Sequence, residues 1–200
     1  MRATQRLIAA HRELWERAER HPFLRVLENP PSERALRRWF SCEARWYEQA
    51  MAALGCLLAG VPKSHRYIFA QAIMLLAEEL DWLEVNAEPG LSDPAIAYWG
   101  ERVRRVFSKS WEQAMIMLWL GARIQFEAMR RLDPEDELAR EYWERRTSTM
   151  MEAFVHDFEE LAEPAVEAIG LADASGLLLQ VVEGQTALWD VGLKLVEGEE

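Results

Sequence analysis

The stretch Leu36–Leu57, LRRWFSCEARWYEQAMAALGCL, decides the fold. It contains no proline, and Leu36, Phe40, Tyr47, Ala50, Leu54 and Leu57 recur at the three-to-four spacing of one helix face. That period predicts a long helix with one buried side. Glu43 falls in the middle of this side. An ionised carboxylate on a core stripe is costly unless it is paired or serves a cavity, so a salt bridge and a ligand contact are both open readings.

Working outward, Pro22, Pro30, Pro31, Pro62, Pro89, Pro94, Pro134 and Pro164 divide the chain into long proline-free intervals. Those intervals predict helices over 2–20, 32–59, 64–87, 94–107, 109–131, 135–168 and 174–196. Ser32, Ser64 and Asp133, the last followed by Pro134, are the expected N-caps, and Gly170 is the expected stop. Strand alternation and hairpin dipeptides are missing, so the chain reads as all-α, a bundle of about seven to eight helices. The glutamates that end the sequence read as a solvated tail.

Two hundred residues suit one domain, 1–200, with a core large enough to need no disulfide or metal staple. Charged residues make up 28% of the chain, and no apolar run approaches the roughly eighteen residues of a membrane span. Residues 1–20 lack the apolar core of a signal peptide, which leaves a cytoplasmic location as the expectation. A formal charge of −11 repels phosphate backbones, so nucleic acid is not an expected partner. Cys42 and Cys56 lie on one predicted helix, roughly 21 Å apart at 1.5 Å per residue, and cannot bridge each other. Leucine and glycine neighbours suggest that Cys56 is buried.

The last predicted helix buries Leu178, Val181, Val182, Leu188, Trp189, Gly192 and Leu195, with Gln185 on the same stripe. A buried amide needs hydrogen-bond partners, from other helices or from a polar ligand. In AMIMLWLGARIQFEAM, 114–129, the face of Met115, Leu118, Trp119, Ala122 and Phe126 is flanked by Met117 and Gly121. Gly121 allows another helix or a flat ligand to approach closely.

Read in order, LWERAERHPF at 14–23, LRRWFSCEARWYEQA at 36–50, LLAEELDWLE at 75–84, AMIMLWLGA at 114–122, Tyr142-Trp143 and GQTALWD at 184–190 resemble the TenA/thiaminase II family over nearly the whole chain. The resemblance implies the heme-oxygenase-like all-α fold, homo-oligomers, and a pocket between helices in which active members hydrolyse thiamin or its aminopyrimidine relatives. It places the family's pyrimidine-binding aspartate on Glu43, an aromatic wall on Trp46 and a pocket tyrosine on Tyr142. The family's cysteine nucleophile falls on Met117, whose thioether forms no thiolate, and its glutamate acid falls on Gln185, whose amide transfers no proton. A family tyrosine falls on Gly121.

The expectation is therefore a pocket for a small planar nitrogen heterocycle, lined by Glu43, Trp46, Met117, Gly121, Tyr142 and Gln185 and lacking cysteine-dependent hydrolysis. It requires no cofactor. Cys42, beside Glu43, is the only thiol that could stand in for the nucleophile. A non-catalytic ligand-binding protein and a metal-dependent oxidase of the same fold are the alternatives. His156, Glu160 and Glu163 have ligand spacing for the latter, but Asn86 stands seven residues after Glu79 where a histidine would be wanted. His156 lies off the expected stripe of Met150, Met151, Phe154, Phe158 and Leu161, and reads as solvated. A heme would need His11 or His21 as its axial ligand, and both have ordinary structural readings.

Overall fold

The computed structural model describes residues 1–89 and 93–197, and among them every regular element is helical. Two of the predicted helices are divided. The first becomes α1 (Ala3–Ala10) and α2 (Arg12–Ala18), which break at His11. A third short helix, α3 (Pro22–Glu28), follows, and it was not expected. Next come α4 (Glu33–Leu58), α5 (Arg66–Asn86), α6 (Pro94–Phe107) and α7 (Trp111–Met129). The predicted helix at 135–168 becomes α8 (Glu137–Thr147) and α9 (Thr149–Ile169), and α10 (Leu171–Glu197) closes the described chain. Counting each divided pair once gives eight rods, in line with the sequence. Glu199 and Glu200, the end of the expected tail, lie outside the described residues.

The chain forms two compact units. The first comprises residues 1–31 and 112–193, and α9 packs against α1 and α8 within it. Its core holds Leu7, Phe23, Trp119, Phe158, Leu178 and Trp189, all nearly inaccessible to solvent. Burying each such side chain contributes about 1.5–3 kcal/mol, which together offsets the entropy lost in ordering the helices. The second unit comprises 32–111 and the end of the chain from Lys194. There α4 packs along α5 and α6, burying Leu36, Phe40, Leu54, Phe69, Leu83 and Ile96.

Local chemistry fixes the helix ends. The Ser32 hydroxyl accepts the Ala35 N–H at 3.1 Å, and the Asp93 carboxylate accepts the Ala95 N–H at 2.8 Å with Pro94 in the first turn. Gly170 ends α9 at φ 84°, a left-handed conformation that suits glycine. Two expected caps are displaced. Asp136 rather than Asp133 caps α8, accepting the Ala139 N–H at 2.9 Å, and α5 begins after His65 rather than Ser64. His21-Pro22-Phe23 starts α3, because Pro22 suits a first helical position. The His21 Nδ1 accepts the Phe23 N–H at 3.3 Å, and its Nε2 donates to Asp190 on α10 at 3.2 Å. Gly192 of α10 lies so close to Phe23 that a Cβ would stand 2.5 Å from the ring.

The break at Ser148, whose hydroxyl caps α9 through the Met151 N–H, re-phases that helix. Its buried face is Val155, Phe158, Ala162, Ala165 and Val166, so Met150 is exposed instead of lying on the stripe. Cys56 corrects another expectation: it is exposed on α4, where its leucine and glycine neighbours do not turn it inward.

Candidate ligand-binding site

In the first unit, α7 presents Met117 and, one turn later, Gly121. Met117 is buried, and a Cβ built at Gly121 meets no atom within 4 Å, so glycine leaves open room beside the helix. On α8, Tyr142 is 1% exposed, and the buried Arg146 guanidinium lies 4.8 Å from the centre of its ring.

Gln185 is half-buried on α10, between the buried turn of Val181 and Val182 and that of Leu188 and Trp189. Two other polar side chains of this helix bond back to their own backbone. The Gln180 amide donates to the Gly176 carbonyl at 3.2 Å, and the Thr186 hydroxyl donates to the Val182 carbonyl at 2.9 Å. Among the described residues, the Gln185 amide makes no hydrogen bond of either kind. Its donors and acceptor are therefore available to water or to a ligand.

The second unit carries the other two expected residues on α4. Glu43 is 4% exposed and Trp46, nearly a full turn on, is half-buried. Cys42 is buried beside Glu43. Burial pushes its thiol up to about 11, with Asp93 adding to the rise and Arg38 opposing it. Such a thiol is almost wholly protonated at neutral pH, whereas nucleophilic attack requires the thiolate.

Two carboxylates of the proposed oxidase set are otherwise engaged. Glu163 accepts the backbone N–H groups of Ala3 and Thr4 at 2.6 and 3.0 Å and the Thr4 hydroxyl at 2.7 Å, closing the first turn of α1. Glu160 pairs with Arg2, and His156 is exposed. Among the described residues, no group of three histidine, cysteine or acidic side chains is arranged to hold a metal.

A polar cluster in the first unit escaped the sequence reading. The Trp15 indole N–H donates to both Glu19 and Glu127, at 2.9 Å each, beside a cavity of about 370 Å³. Trp15 with Glu19, and Arg123 with Glu127, are each separated by four residues, which is the available signal. It does not reveal that the two pairs meet.

No family model and no curated protein matches the chain. Solved structures do. A TenA homologue from Pyrococcus furiosus superimposes with a TM-score of 0.85 at 19% identity, covering 95% of this chain and 99% of its own. A TenA family transcription regulator from Silicibacter sp. gives 0.83 at 11% identity over 96% of each chain. A protein described as a TenA-like thiaminase from Sulfolobus solfataricus gives 0.78 at 12% identity over 95% of each. The chain shares the all-helical fold of the TenA homologues.

Proposed function

We propose that the chain is a single-domain, TenA-like protein that binds a small planar nitrogen heterocycle of the thiamin or aminopyrimidine kind without cysteine-dependent hydrolysis. It would serve thiamin salvage or degradation as a cytoplasmic homo-oligomer. The observation that carries this reading is the half-buried Gln185 amide, which makes no hydrogen bond among the described residues, whereas Gln180 and Thr186 on the same helix bond to their own backbone. An amide of this kind suits a ligand that presents both ring nitrogens and amino groups, because it can donate and accept at once. The open room beside Gly121 supports the same reading.

Met117 is the residue that removes the chemistry. A thioether fills space and packs against aromatic rings, but it cannot form the covalent bond that opens thiamin. Cys42 does not replace it, since its proton is held far above neutrality. The resemblance assigns ligand-binding roles to Glu43, Trp46, Tyr142 and Gln185, and those assignments are part of the proposal. Glu43 would accept N–H groups of the heterocycle, while Trp46 and Tyr142 would pack against its ring.

Calorimetric titration with thiamin and 4-aminopyrimidine tests it, using the wild-type chain and Glu43→Ala. Saturable binding that Glu43→Ala weakens is expected. Equal affinity in the variant removes Glu43 from the site, and thiamin consumption abolished by Cys42→Ala would establish a relocated nucleophile.

A further inference from the structure

The cavity beside Trp15 lies wholly within the first unit. At about 100° per residue, Arg123 and Glu127 stand roughly 160° and 120° around α7 from Gly121, so this is a different place from the heterocycle site. Its inner wall is an alternating series of charges. Arg131 pairs with Glu19, Glu19 and Glu127 share the Trp15 N–H and bond to each other, and Arg123 pairs with both Glu127 and Glu159. Nearer the mouth, Arg12 and Glu16 form their own pair at 2.6 Å.

Ionising two carboxylates in mutual contact sets like charges together, which favours a single proton shared between them. Glu19, 5% exposed, is raised from its ordinary value first by burial and then by Glu127, against the pull of Arg131. The inner groups, three glutamates and two arginines, carry one excess negative charge, and the shared proton cancels it. Any single positive charge could do so equally well. The cavity supplies room that a proton does not need, and Ile8 and Ala9 line it with apolar surface.

We infer that this cavity is a binding site for a primary alkylammonium ion, whose –NH₃⁺ replaces the proton shared by Glu19 and Glu127 while its carbon chain lies against Ile8 and Ala9. A primary ammonium has three N–H donors, and Glu19, Glu127 and Glu159 offer three carboxylates. The exchange is balanced: one organic cation enters and one proton leaves to solvent. A bare alkali ion satisfies the charge but leaves most of the cavity empty.

The test is calorimetric titration of the whole chain with n-butylammonium chloride at constant ionic strength, in two buffers of different ionisation enthalpy. Binding is expected with release of up to one proton per amine, and as pH falls below the raised Glu19 value the affinity should fall about tenfold per pH unit. In Glu127→Gln the amide takes the place of the protonated carboxyl, and affinity should drop more than about tenfold. Tetramethylammonium, which has no N–H, should not compete. Absence of butylammonium binding at about pH 8.5, binding without proton release, or equal affinity in Glu127→Gln would each overturn the inference.

Discussion

Glu19 and Gln185 are both polar residues set among buried neighbours in the first unit, yet the fold treats them differently. Glu19 is surrounded: the Trp15 indole, the Arg131 guanidinium and the Glu127 carboxyl all reach it. Gln185 makes no hydrogen bond among the described residues. A buried ion without partners would cost several kcal/mol, so the acid must be enclosed by them. An amide at a half-open position costs far less and can wait for a ligand. Polarity on a buried stripe therefore has two meanings, and the state of the hydrogen bonds separates them.

The largest effect should follow from breaking the satisfied side of this comparison. Glu19→Ala leaves Arg131 without its carboxylate and the Trp15 N–H with one acceptor fewer, and the loss should be about 2 kcal/mol, moderated because Arg131 is half in solvent. Urea denaturation measures it, and a change below about 0.5 kcal/mol would mean the cluster is ornamental. Gln185→Leu should behave in the opposite way. Stability should stay within about 0.5 kcal/mol of wild type or rise, because no hydrogen bond is lost and apolar surface is gained.

The pH dependence sharpens the contrast. Glu19 is raised in the folded state above its ordinary 4.5, so its contribution is fully present below that value and is lost as pH rises through the folded value. Glu19→Gln should flatten this decline in thermal melts while leaving the rest of the profile in place. His21 runs the other way. Burial lowers it from 6.5 despite Asp190, so its contribution is present above 6.5 and fades as pH falls through the folded value. The effect should be the smallest here, about 1 kcal/mol or less, and His21→Asn should remove the pH dependence while keeping a cap acceptor for α3.

The sequence carried the helices well because their signals are local. Proline spacing and apolar periodicity marked α4, α6 and α10, and Pro94 and Gly170 mark true ends. The breaks at His11 and Ser148 were hidden because neither residue forbids a helix, and tertiary packing decides there. Cys56 misled for a related reason. Its apolar neighbours on α4 sit on several sides of the helix, and its own side faces outward.

For the proposed site, what the sequence made legible is the burial of its polar residues. The stripe positions of Glu43 and Gln185 drew attention to residues that prove buried and half-buried, respectively. The Trp15 cluster was invisible because Glu19 and Glu127 are 108 positions apart, and only folding joins them. Long-range pairing of charges leaves no periodic trace in a single sequence.

The central claim is that the Gln185 amide recognises a flat nitrogen heterocycle where no nucleophile attacks it. Titration of wild-type and Gln185→Leu chains with 4-aminopyrimidine, with thiamin followed for turnover in parallel, tests this most directly. The account predicts saturable binding in the wild type, at least about tenfold weaker binding in the leucine variant, and thiamin left intact by both. Equal affinity in the two chains, or thiamin cleaved by the wild type, would contradict it.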